Sequence, residues 1–264
     1  MLSLFRKKEY QKYHTHKFKL KELSKNIDNH IWLVCAPKSG STWLTGILAD
    51  ILKWDSVKLV PSFGNREQEL DLSPLLAKGV KGNLLTPHQH CRYSSYTHEV
   101  IDALGTKVIL QVRNIFDTVI SFYDHIENEG PTFPSGFMDQ QSWDALSEQD
   151  RWAYLVDLVV PWYFNFYCSW LSSPLYAQGR IKLVTYNELR NETAETVSAV
   201  LDFCGESKNT DIIQASLVKL KKKNTRQNKG IVGRGNSLPE ELKERVQSFT
   251  KYYPNIDFTP MGLK

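Results

Sequence analysis

The segment that most limits what this chain folds into is His30-Ile-Trp-Leu-Val-Cys-Ala-Pro-Lys-Ser-Gly-Ser-Thr-Trp-Leu44. Ile31 to Ala36 is an unbroken apolar run and reads as a buried strand. Pro37 to Ser41 is a tight turn of small residues. From Thr42 to Leu52, the apolar residues Leu44, Ile47, Leu48, Ile51 and Leu52 recur at helical spacing. A strand running through a small-residue turn into a helix makes an anion site. The helix start offers unpaired N–H groups and the positive end of its dipole. Lys38, Ser39, Ser41 and Thr42 add a charge and three hydroxyls, so the turn is expected to hold a phosphate or sulfate group. It is not the usual G-x-x-x-x-G-K-[ST] phosphate loop. Here the lysine precedes the glycine, and no second glycine lies upstream.

Other strand–helix units follow. Asn83 to Thr86 reads as a short strand ended by Pro87, with His88 and His90 just past it. In open α/β sheets ligands sit outside the carboxyl ends of strands, so a histidine there is a candidate general base. Lys107 to Arg113 is a nearly continuous apolar strand, as a central parallel strand should be. Asn114 to Thr118 is a turn, with Asp117 placed to cap or open the next helix. Arg113 and Ser121 are expected to face the same crevice as Lys38, where an arginine would bind a second phosphate bidentately. An ion pair with Asp117 is the plainer reading of Arg113. Residues 127–147 are rich in Gly and Pro and carry Phe133, Phe137, Met138 and Trp143, which suggests either a lid or a poorly ordered surface loop. Asp150 to Leu171 reads as a helix, Arg180 to Tyr186 as a strand, and Thr193 to Phe203 and Thr210 to Lys223 as helices. A basic, glycine-rich loop, Asn224 to Asn236, is of a kind that folds around an anion, and a last helix starts near Leu238. The pattern predicts a single three-layer α/β domain over 1–264. Its mostly parallel central sheet is flanked by helices, with a basic arm at 1–27 and a core at 28–255.

Composition narrows the function. The chain has 264 residues, and its net charge of +4 does not demand a nucleic-acid partner, though it favours an anionic cosubstrate. Cys35, Cys91, Cys168 and Cys204 are scattered without metal-ligand spacing or a disulfide framework, so a reducing cytoplasm is the expected setting and no metal is expected. The N-terminal segment has no apolar core of a secretory signal. The most apolar later stretch, Ala153 to Leu171, is interrupted by Asp157, Pro161 and Asn165 and is too polar to span a bilayer.

Three motifs, met in order, resemble the cytosolic-type sulfotransferases. Pro37-Lys-Ser-Gly-Ser-Thr-Trp43 is similar to that family's 5'-phosphosulfate loop, P-K-S-G-T-T-W. Arg113-Asn-Ile-Phe-Asp-Thr-Val-Ile-Ser-Phe-Tyr123 resembles its 3'-phosphate motif, R-N-P-x-D-x-x-x-S-Y-Y, with the arginine-to-serine spacing preserved. Asn228-Lys-Gly-Ile-Val-Gly233 is similar to the R-K-G-x-x-G element. The resemblance implies a P-loop-type nucleotide-binding fold. It also implies transfer of a sulfuryl group from 3'-phosphoadenosine 5'-phosphosulfate (PAPS) to an acceptor hydroxyl or amine. Lys38 would contact the bridging oxygen, and Ser39, Gly40, Ser41 and Thr42 would cradle the 5'-phosphate. Trp43 would stack on adenine, with Tyr186 nearby. Arg113 and Ser121 would hold the 3'-phosphate, completed by Asn228, Lys229 and Gly230. The family's base is a histidine in a K-T-H context, matched by Leu84-Leu-Thr-Pro-His88, with His90 as the reserve.

Departures are local. The family arginine before Lys-Gly is Asn228 here, with Arg226 or Arg234 as its replacement, and Arg234-Gly-Asn236 stands where the family has D-W-K-N. The short C-terminal dimerisation motif of animal members is not visible, which leaves the oligomeric state open. The expected acceptor is a small molecule, an apolar or aromatic alcohol suiting the aromatic residues of 127–171. Other readings are a P-loop kinase or hydrolase, against which the loop spacing speaks, and a non-catalytic nucleotide-binding protein on the same fold.

Overall fold

The computed structural model describes residues 19–60, 68–131, 136–221 and 232–264. Strand β1 (Ile27–Cys35) leads through the small-residue turn into helix α1 (Ser41–Leu52). A two-residue strand β2 (Asp55–Ser56) and helix α2 (Ser73–Lys78) precede β3 (Gly82–Gln89) and α3 (Ser95–Ala103). β4 (Lys107–Val112) feeds α4 (Ile115–Glu129), followed by α5 (Gln140–Ala145). α6 (Glu148–Tyr154) runs through a π-turn (Leu155–Val159) into α7 (Val160–Leu171). The rest are α8 (Pro174–Ala177), β5 (Ile181–Thr185), α9 (Tyr186–Asn191), α10 (Thr193–Phe203), α11 (Thr210–Lys221) and α12 (Glu240–Ser248).

All five strands are parallel, in the order β2-β3-β1-β4-β5. Alternation along the strands shows that both faces are covered. Trp32, Val34, Val108, Leu110 and Val112 enter one apolar cluster, and Ile31, Leu33 and Ile109 enter the other. The second cluster is closed by α1 (Leu44, Ile47, Leu48, Ile51) and α10 (Val197, Val200, Leu201). The first is closed by α3, α4 and the α6–α7 helix. This is the three-layer α/β architecture that continuous apolar strands require, since neither face could meet water.

Burial extends beyond residues 28–255, and two expectations, at Pro87 and at Trp143, are corrected. Residues 19–24 are helical with Leu20 and Leu23 buried, and Phe258, Met261 and Leu263 are buried at the other end. Pro87 does not end its strand. β1 advances from Trp32 to Val34 while β3 advances from Thr86 to Gln89, so β3 carries an extra residue at Pro87–His88. That bulge is where a proline without an N–H is tolerated, and it re-aims the neighbouring side chain. Trp143, expected in a lid, is fully buried, as are Trp170 and Tyr167, so these aromatics belong to the core. The helix expected over 150–171 forms, from Glu148 to Leu171, and carries a π-turn where Pro161 has no N–H to return to Asp157.

Candidate active site

Because the strands are parallel and paired Cys35 with Gln111, Val34 with Gln89 and Val112 with Thr185, their carboxyl ends lie along one edge. The Lys38 turn, His88, Arg113 and Tyr186 all follow from that edge.

The β1–α1 turn is held from behind by its carbonyls. Ser39 Oγ donates to the Ala36 carbonyl (2.6 Å), and Tyr163 Oη to that of Pro37 (3.2 Å). Arg113 Nη1 donates to the Lys38 carbonyl (3.2 Å), and Gln111 Nε2 to that of Ser39 (2.7 Å). With four successive carbonyls turned inward, the N–H groups of Lys38, Ser39, Gly40, Ser41 and Thr42 have no acceptor among the described residues. Gly40, the N-cap of α1, has no side chain with which to cap the helix itself. Its φ is +83°, and a Cβ on it would lie 2.8 Å from two ring carbons of Tyr186. The glycine is therefore required twice, by its backbone and by the close ring. Lys38, with φ +63°, is in the left-handed region although it is not glycine. Such strain persists only where surrounding structure imposes it. Burial lowers the Lys38 pKa, Glu129 partly offsets this, and the Arg113 charge adds to the lowering.

Arg113 is buried and central. Besides the Lys38 carbonyl, it lies 4.3 Å over the Tyr186 ring and 3.9 Å from Asp117. Tyr186 opens α9 behind a Thr185–Glu188 capping box rather than closing the strand. Asn114, not Asp117, caps α4, accepting from the N–H groups of Phe116 and Asp117. The Asp117 carboxylate instead accepts the N–H groups of Gly233 (2.9 Å) and Gly235 (2.7 Å). This pins the C-terminal strap, where Arg234 pairs with Asp124 at 2.7 Å. Asp117, Ser121 and Asp124 share one face of α4 by their i, i+4, i+7 spacing. Ser121 lies on this face between Asp117, which Arg113 faces, and Asp124, which Arg234 pairs with. Asn228, Lys229 and Gly230, and Arg226 with them, lie outside the described residues.

His88 sits in the β3 bulge, inside the strand rather than past it, and His90 is the first residue beyond its end. His88 Nδ1 is 3.1 Å from Thr45 Oγ1, and burial followed by the Lys58 charge lowers its pKa below the usual imidazole value. Such a ring is neutral at pH 7 and able to accept a proton. His90 Nδ1–H donates to the Cys35 carbonyl (2.9 Å), and burial above all pushes its pKa down to about 4. Ser41 is buried at the turn, Thr42 is exposed, and Trp43 is half-buried against the α1 side of the sheet.

A sequence model of the family described as "Sulfotransferase domain" matches residues 28–251. The chain belongs to the sulfotransferase-domain family. As a member it is a transferase that moves a sulfuryl group from PAPS to an acceptor. Among solved structures, mouse sulfotransferase SULT7A1, complexed with PAP, is similar at 20% identity over 90% of each chain, with a TM-score of 0.62. Retinol dehydratase, in complex with androsterone and the inactive cofactor PAP, is similar at 14% identity over 86% of this chain and 83% of that one, with a TM-score of 0.57. At these identities the likeness speaks for the fold. No curated protein sequence matches this sulfotransferase. Gln111, Tyr163, Thr45, Asp117 and Gly235 were not singled out from the sequence as site residues. Only Asp117 and Gly235 carried a local signal, one as an apparent cap and one in a glycine-rich run. No helix among the described residues is long and apolar enough to cross a membrane.

Proposed function

We propose that this sulfotransferase binds PAPS with its 5'-phosphosulfate on the Lys38–Thr42 turn and its 3'-phosphate between Arg113, Ser121 and Arg234. His88 serves as general base toward a small hydroxyl acceptor. The observation that carries the reading is the turn itself, with its carbonyls held inward and five N–H groups left for an anion, next to Arg113 and the His88 strand end. Sulfuryl transfer breaks the sulfur–oxygen bond to the 5'-phosphate and forms one to the acceptor oxygen. The acceptor proton goes to His88, and Lys38 stabilises the charge that grows on the bridging oxygen. Fixed donors in a partly dry site provide most of such a rate enhancement. Trp43 and Tyr186 suit the adenine. Lys229 and Gly230 are the family's further 3'-phosphate contacts.

Arg234 takes the place of the missing arginine at Asn228. Its position is set by the two N–H bonds from Gly233 and Gly235 to Asp117, and its pairing with Asp124 leaves further guanidinium donors. A small apolar alcohol is the proposed acceptor class, because the fold neighbour retinol dehydratase has been solved with androsterone and with retinol. A cytoplasmic setting fits the four free, buried cysteines.

Calorimetry tests the nucleotide reading. Adenosine 3',5'-bisphosphate should bind without magnesium and more tightly than either AMP or ATP. A preference for ATP that depends on magnesium would sink it. Arg234→Gln should weaken the bisphosphate about ten- to a hundredfold, the worth of a hydrogen bond to a charged group, while leaving AMP within about twofold, whereas Arg113→Gln, which also releases the Lys38 carbonyl, should weaken both. A screen of alcohols, phenols and amines with radiolabelled PAPS then identifies the acceptor class.

A further inference from the structure

Thr45 lies in the second turn of α1, just past the anion-binding turn, and its hydroxyl meets His88 twice. Thr45 Oγ1 accepts the backbone N–H of His88 at 3.3 Å and lies 3.1 Å from His88 Nδ1. The contact joins the β3 bulge to the very helix whose N-terminus faces the donor. The backbone N–H already occupies one lone pair of the hydroxyl. The second lone pair of the hydroxyl is open to the imidazole. We propose that Thr45 is a positioning residue for sulfuryl transfer. It accepts Nδ1–H of His88, keeps the ring in the tautomer with a bare Nε2 lone pair, and holds that lone pair in fixed register with the Lys38 turn.

The proposal rests on His88 being the base. In the step, Nε2 takes the acceptor's proton as the new sulfur–oxygen bond forms and the bond to the 5'-phosphate breaks. Nδ1–H stays with Thr45 throughout. The ring becomes a cation during transfer, so the bond to Thr45 turns charge-assisted when the barrier is crossed. An orienting hydrogen bond that strengthens in this way lowers the barrier rather than merely aiding binding.

The pH profile tells which partner donates. The charged or titratable groups around His88 are Lys58 beyond β2 and His90 with its ring centroid 6.3 Å away. Neither is altered by substitution at 45. If Nδ1–H donates to Thr45, the bond favours the charged ring, and its loss lowers the imidazole pKa. The acid limb of kcat then moves to lower pH. If Thr45 instead donated to Nδ1, the bond would exist only in the neutral ring, and its loss would move the limb to higher pH.

The experiment compares Thr45→Val, Thr45→Ser and His88→Gln in the full chain. It measures kcat, the KM for PAPS, the pH profile and the melting temperature. Thr45→Val should lower kcat about ten- to a hundredfold, within what general-base catalysis supplies in total. The KM for PAPS should hold, the acid limb should shift down, and Thr45→Ser should recover most of the turnover. Unchanged kcat in Thr45→Val, or an acid limb moved upward, overturns the proposal. So does a serine variant as poor as valine with a normal melting temperature. If valine prevents folding, Thr45→Ala carries the same comparison. Wild-type turnover in His88→Gln would instead remove the base assignment itself, which is a separate outcome.

Discussion

Replacing Lys38 with alanine should lower kcat by about two to three orders of magnitude, the loss seen when one preorganised charge-stabilising donor is removed. The fold should be untouched. Lys38 sits at φ +63°, where a side chain costs about 1–2 kcal/mol. Its carbonyl, not its ammonium, is the group Arg113 holds at 3.2 Å. The side chain is therefore not what holds the turn, and its proposed part is in the chemistry. Lys38→Gly sharpens the test, because glycine relieves the strain while deleting the charge. It should be as inactive as alanine and melt no lower than the parent protein. Binding of adenosine 3',5'-bisphosphate, measured by calorimetry, should weaken far less than kcat falls, since the backbone N–H groups remain. Lys38→Arg should recover little, because a planar fork does not place its charge where a compact ammonium did. A Lys38→Gly enzyme with parental turnover would remove this residue from the reaction.

The second large effect concerns stability. Asp117→Ala should destabilise the protein by about 3–5 kcal/mol, the usual result of removing one partner from a buried charged network. The carboxylate is buried, accepts two backbone N–H groups of the strap and faces Arg113. Alanine leaves both donors unpaired and removes the carboxylate that faces the Arg113 guanidinium. Asp117→Asn should fall between, because its amide keeps one acceptor and turns a second donor toward a donor. Nucleotide binding should drop together with the melting temperature, since the strap carries Arg234. Gly235→Ala tests the same joint from the other side, because its Cβ would lie 2.4 Å from Phe116 Cβ and 2.8 Å from the Asp117 nitrogen. The strap would have to lift, and thermal unfolding should show a loss of roughly 1–3 kcal/mol, as overpacking gives. An Asp117→Ala protein that melts with the parent would show that the strap is held elsewhere.

Much of the fold was legible because it is written in short-range pattern. Continuous apolar runs at 31–36 and 107–112 had to become strands buried on both faces, and the 3.6-residue spacing after Thr42 and Thr193 had to become helices packed on them. The Pro37–Ser41 turn was legible too, since small residues between a strand and a helix leave an anion-binding N-terminus wherever they occur.

The misreadings share a cause. Asp117 read locally as a cap, but Asn114 fills that role, and Asp117 bonds a glycine strap 116 and 118 residues away. Trp143 read as a lid residue because its flanks are polar, yet it is buried against Tyr123 and Tyr154. Pro87 read as a strand end because a proline has no N–H to donate, while a bulge let the strand carry it and turned His88 toward Thr45.

The sequence alone determined the strand–turn–helix unit that opens the domain, its lysine, and the order of the motifs that resemble the family's phosphate-binding elements. These follow from contacts between residues a few positions apart, whose energetics the local pattern carries. Only the tertiary structure decided what turns the N–H groups of that turn outward. Its carbonyls are drawn inward by Gln111, Arg113 and Tyr163, which lie 72, 75 and 126 residues away from the atoms they hold. His88, the proposed base, is tied to the same helix across 43 residues. Hydrogen bonds of that reach depend on packing, and no spacing along the chain encodes them.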